Sequence, residues 1–150
     1  MRAYSTQNIR NVVILGSTKS GKTTLSEAML YEGKVIDRRG TVEAKNTVSN
    51  KAEIEQINQR SIYATPLYAE FMDTKFNIID TPGGDDFIGG AVSAFKVCDT
   101  GVLLINAQQG VEVGTQIFRR FAREYDIPLV VAVNQLDGEK ANWEGTLESM

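Results

Sequence analysis

Gly16-Ser17-Thr18-Lys19-Ser20-Gly21-Lys22-Thr23 fits G-x-x-x-x-G-K-[ST], a loop whose backbone N–H groups wrap the phosphates of a nucleotide. The flanks supply the context that this pattern needs. Upstream, Asn11-Val12-Val13-Ile14-Leu15 is a short apolar, β-branched run, as expected of a strand buried on both faces. Downstream, Thr24 to Tyr31 places Leu25, Ala28 and Met29 at helical spacing. Strand, glycine loop and helix start thus follow in the order that aims unpaired amides and a positive dipole end at an anion. In that arrangement Lys22 reaches the β- and γ-phosphates, and the Thr23 hydroxyl ligates Mg²⁺. Gly16 through Thr24 are the expected phosphate-binding residues.

A chain of 150 residues has the length of one domain with a real core. Its hydrophobic content of 42% and charged content of 23% are those of an ordinary globular protein. A net charge of −3 gives no global basic field for nucleic acid, which argues against DNA as a partner. Lys34, Arg38 and Arg39 form a local basic patch that suits either a ribonucleoprotein partner or a solvated loop. The single cysteine, Cys98, precludes an internal disulfide and fits a reducing cytoplasm. With no histidine in the chain to activate it, Cys98 reads as a small buried hydrophobe. No signal peptide and no membrane-length apolar run is present.

Along the chain, residues 1–8 are polar and expected to fray or extend an edge. Residues 32–60 form a long polar stretch with little periodicity, a length that is usually functional or disordered. The runs 61–72 and 75–79 flank Asp73-Thr74, read as a hairpin turn, and Pro66 confines the first run to a sheet edge. A helix is expected from Phe87 through Val97, a buried strand over Gly101–Asn106, and an amphipathic helix carrying Ile117, Phe118, Phe121, Ala122 and Tyr125. Pro128–Val133 is the last clear strand, and a final helix starts near Ala141. The pattern predicts a three-layer α/β/α fold, its sheet mostly parallel with one antiparallel edge hairpin.

In such sheets ligands sit beyond the carboxyl ends of strands. Gly16–Thr23, Asp80–Gly84 and Asn134–Asp137 all follow strand ends, so the three segments converge on one rim. Asp80 suits a Mg²⁺-organising carboxylate, and Gly83, lacking Cβ, can bring its amide close to a γ-phosphate. Asp137, with Asn134, suits base reading, because a carboxylate accepts both N1–H and N2–H of guanine.

With these motifs together, the chain resembles the N-terminal GTP-binding domain of translation elongation factor G. The likeness covers nearly all 150 residues. It rests on Gly16–Leu25, Arg39-Gly40-Thr41-Val42-Glu43, Asp80-Thr81-Pro82-Gly83 continuing to Asp86-Phe87, and Gly110-Val111-Glu112-Val113-Gly114-Thr115. It is similar above all to the divergent second class of bacterial paralogues, Bacteroides-like ones among them. The resemblance implies a P-loop GTPase fold, GTP or GDP with Mg²⁺, and a monomeric cytoplasmic factor that acts on the ribosome. It implies switch I at about residues 37–61 and switch II at about 80–90, segments that order on γ-phosphate contact. It also implies that the chain stops before the family's final strand and base-binding loop.

Four departures accompany the matches. Gly84 stands at the position of the family's water-orienting histidine, which implies slow or absent hydrolysis. Gln135 replaces the lysine of N-K-x-D, which weakens affinity more than guanine choice. Switch I is eroded: Ser61 falls best on the Mg²⁺-ligating threonine, with Tyr63 and Thr65 as rivals. No base-binding loop follows Asp137. A competent GTPase would need a stand-in such as Asp85, Asp86 or a ribosomal group. A ribosome-docking module with a vestigial pocket, or an ATP-using protein, would conflict with Gly21-Lys22-Thr23 and with Asp137 respectively.

Overall fold

The computed structural model describes residues 3–150. Met1 and Arg2 lie outside the described residues, and with them the start of the stretch expected to fray; Thr6–Asn8 make a 3-10 turn. The strands are β1 (Ile9–Gly16), β2 (Thr65–Phe71), β3 (Thr74–Asp80), β4 (Thr100–Asn106) and β5 (Leu129–Asn134). They form one sheet in the order β2-β3-β1-β4-β5. β1 pairs in parallel with β3 and β4, β4 pairs in parallel with β5, and among the described residues β2–β3 is the one antiparallel pair. The predicted three-layer α/β/α fold with one antiparallel edge hairpin is what forms.

Alternation along β1 feeds two cores. Val12 and Ile14 pack with Ile78, Ala69 and Leu104 under Leu25 and Met29 of α1 (Lys22–Glu32). Val13 and Leu15 pack on the opposite face with Ala91, Phe95 and Phe118, from α3 (Ile88–Phe95) and α4 (Val113–Glu124). Val13, Ile14 and Leu15 are fully buried, each contributing about 1.5–3 kcal/mol of transfer free energy. Tyr125, just past α4, stacks on Phe95 with ring centroids 6.0 Å apart. This double burial fixes β1 and delivers the phosphate loop from its end.

Two expectations are corrected. The hairpin turn is Met72-Asp73, not Asp73-Thr74: both residues have positive φ, 44° and 61°, and Phe71 pairs with Thr74. Positive φ at both central positions gives a turn whose twist matches the strands. The stretch 32–60 also contains α2 (Glu53–Asn58), which has too few turns for apolar periodicity to reveal it. Pro66 does lie in the edge strand β2. At the other border, β5 exposes Val130 and Val131. The last helix, α5 (Trp143–Glu148), starts from Asn142, whose side chain accepts from Gly145 N–H at 2.9 Å.

Candidate nucleotide site

The phosphate loop needs both its glycines. Gly16 has φ 145°, and a Cβ there would meet the Leu104 carbonyl oxygen at 2.5 Å; Gly21 has φ 97°, and a Cβ would meet Asn134 Nδ2 at 2.2 Å. Neither conformation suits an L side chain. Asn134 Nδ2 donates to Ser20 O (2.9 Å) and Gln135 Nε2 to Lys19 O (2.9 Å), so the end of β5 grips the loop from outside. Gln135 Oε1 in turn accepts from Asn106 Nδ2 at 2.7 Å.

Lys22 Nζ donates to Ser17 O at 2.8 Å. Burial pushes its pKa down to about 8, and the charges of Asp80 and Glu112 oppose that fall. Asp80 ends β3 fully buried, its Oδ2 accepting from Thr23 Oγ1 at 3.0 Å. Burial raises the Asp80 pKa above the ordinary carboxylate value, while the hydroxyls of Ser49 and Thr23 and the charge of Lys22 pull it back. Thr23 Oγ1 also lies 3.2 Å from Ser61 Oγ, which donates to Asn50 Oδ1 at 2.9 Å. Of the two rivals to Ser61, Tyr63 is largely exposed and the Thr65 hydroxyl donates to Ser49 O.

Two buried carboxylates hold the long loop against this cluster. Glu27 of α1 accepts from Gly40 N (2.8 Å) and Val48 N (2.5 Å). Glu55 of α2 accepts from Ile62 N (2.9 Å) and Tyr63 N (3.1 Å), which places Ser61 beside Thr23. A charged acceptor satisfied by two amides makes a strong clamp.

A cavity of about 700 Å³ opens here, lined by Thr18, Lys19, Gly21, Lys22, Thr23 and Thr24 of the loop and α1, by Arg60 and Ser61, by Gly83 and Gly84, and by Asn106 and Gln135. Gly83 fits tightly: a Cβ would meet Lys22 Nζ at 2.3 Å and the Ser17 carbonyl at 2.8 Å. Gly84 is less constrained: a Cβ there would make ordinary van der Waals contact, Phe87 Cδ2 being nearest at 3.4 Å. Gly16, Ser17, Ser20, Asp80 and Asn134 stand behind the lining rather than in it, and Asp137 is exposed beyond it. Asp85 faces a second groove, lined also by Ser17 and Gly114, while Asp86 lines neither. Among the described residues no helix is long and apolar enough to cross a membrane.

A phosphate loop at a central strand end, clamped by the ends of β3 and β5, defines a P-loop nucleotide-binding domain of the GTPase type. Residues 7–150 match the family described as the elongation factor Tu GTP binding domain, and the chain belongs to that family. It is similar to an oxytetracycline resistance protein from Streptomyces rimosus, 39% identical over 145 residues, covering 95% of this chain and 22% of that protein. Elongation factor G from Dehalococcoides mccartyi is 32% identical over 146 residues, covering 97% and 21%. A crystal structure of a protein from Thermus thermophilus, 31% identical, superposes with a TM-score of 0.89 over 93% of this chain and 21% of its own. The chain spans about a fifth of the length of the curated relatives it matches. It is a GTP-binding domain of the translation-factor family.

Proposed function

We propose that this chain binds GTP and GDP with Mg²⁺ as the G domain of a ribosomal translocation factor, and that its hydrolysis is slow or absent. Gly84 carries this reading: it lines the cavity without a side chain, although a Cβ there would make only ordinary van der Waals contacts, with Phe87 and Thr18. The chain has no histidine to take its place. A missing positioning group costs about 10²–10⁴-fold in rate. The divergence at Gly84, Gln135 and the eroded switch I also supports descent from the second-class, Bacteroides-like paralogues of elongation factor G.

The residues fit the ligands proposed for them. Gly16, Gly21 and Gly83 stand where a Cβ would collide with Leu104, Asn134 and Lys22 respectively, so the loop and the 80–84 turn pack this closely only with glycine there. Among the described residues, Asp80 Oδ1 is a buried acceptor that meets no donor in hydrogen-bond geometry, although the Ser49 hydroxyl lies near the carboxylate; Asp80 Oδ2 and Ser61 Oγ both contact Thr23 Oγ1. Thr23, Ser61 and Asp80, directly or through water, would hold Mg²⁺, which when bound neutralises charge on the β- and γ-phosphates. Lys22 and the amides of Ser17 through Thr24 bind the phosphates, and Gly83 N–H faces the terminal one. Asn134 positions the loop, Gln135 flanks the base, and Asp137 reads guanine.

Titration with a fluorescent guanine nucleotide is expected to saturate in a Mg²⁺-dependent manner; an absence of binding would make the pocket vestigial. Phosphate release measured with and without ribosomes is expected to stay slow, and strong stimulation would overturn that part. A second reading comes from the 39% identity to a protein named for oxytetracycline resistance. Expressing the whole gene and measuring tetracycline susceptibility separates the two.

A further inference from the structure

We propose that Arg60 is the residue that distinguishes a nucleoside triphosphate from a diphosphate in this pocket, an inference that rests on the nucleotide reading above. Arg60 lines the cavity together with Lys22, Thr23 and Gly84. Its guanidinium carbon lies 5.4 Å from the centroid of the Phe87 ring. That ring is also the nearest neighbour of the space in front of Gly84. One aromatic face therefore links a cation carried by the 37–61 loop to the place left open in the 80–90 segment.

Three further observations set the role. The Arg60 backbone is anchored, its N–H donating to Glu55 O at 3.2 Å. The next residue, Ser61, reaches Thr23, and the guanidinium lies over Phe87, the ring beside Gly84, so the arginine is carried by the segment that borders the Thr23 hydroxyl and is held next to the 80–90 segment. Among the described residues the guanidinium makes no ion pair and no hydrogen bond, whereas Lys22 Nζ is already engaged by Ser17 O. A guanidinium is charged at every working pH, presents a planar fork suited to phosphate oxygens, and keeps its charge while stacked on a ring. Arg60 thus offers an unengaged cation beside the switch segments and contributes most where a third phosphate adds charge.

The test compares dissociation constants for GDP and for a non-hydrolysable GTP analogue, both with Mg²⁺, in the full chain and its variants. Arg60→Ala is expected to weaken the triphosphate analogue about tenfold or more while GDP shifts less than about twofold. Arg60→Lys should retain part of the preference, and Phe87→Leu should lose part of it by freeing the guanidinium. Arg60 is exposed, so an unchanged melting temperature without nucleotide will show that the fold survives. Equal weakening of both nucleotides by Arg60→Ala, or no weakening, overturns the proposal and leaves the nucleotide reading standing. If the unmodified chain binds neither nucleotide, both readings fall.

Discussion

Asn134 donates through its side-chain amide to the carbonyl of Ser20 at 2.9 Å, tying the end of β5 to a loop 114 residues earlier. Its Nδ2 also occupies the space a Cβ at Gly21 would need. Asn134→Ala should therefore loosen the phosphate loop without touching the core. We expect a loss of about 1 kcal/mol in unfolding free energy and weaker binding of GDP and GTP alike. Urea denaturation and nucleotide titration check this, and an unchanged affinity would contradict it.

Gly84→His introduces a Cβ that would make ordinary contact with Phe87 and Thr18. If the missing side chain limits turnover, ribosome-stimulated phosphate release should rise by about 10²-fold or more, with GDP affinity unchanged. No rise would shift the cause to the 37–61 loop or the base side of the pocket.

Glu27→Gln keeps the shape of a buried residue but turns an NH₂ toward an N–H donor, either Gly40 or Val48. The expected cost is about 1–3 kcal/mol, concentrated in the 37–61 loop. Limited proteolysis should cut that loop sooner, while α1 keeps its hydrogen-exchange protection. Uniform loss across the domain would mean that Glu27 supports the core instead.

Cys98 is buried, and burial, with Asp99 adding to it, pushes its thiol up to about 11 from 9.0. A raised pKa leaves the thiol protonated at pH 8, with about a hundredfold less thiolate than an ordinary cysteine. Labelling by a disulfide reagent at pH 8 should be slow in the native protein and fast in denaturant. The native rate should climb with pH until about 11, and a plateau near pH 9 would refute the burial account.

The sheet was legible because its signal is local: β1, β4 and β5 each carry an unbroken apolar run, β3 ends on Ile78-Ile79, and each motif follows a strand end. Gly16–Thr24, Asp80, Gly83 and Asn134 could be placed together for that reason. Glu27 and Glu55 could not, because a carboxylate on a helix reads as a solvated face until long-range contacts supply its amide partners. Arg60 could not be singled out either, because only the fold brings Phe87 under its guanidinium. The Met72-Asp73 turn was misplaced by one residue, since neither side chain advertises a positive φ.

The exposed valines of β5 have a practical outcome. Among the described residues, strand β5 borders the sheet with β4 as its one partner, and Val130 and Val131 on it are exposed. Such an edge recruits any extended peptide that reaches it. Purified in concentrated form, the isolated chain should stick to itself along that seam, and dilution or a capping peptide should keep it apart.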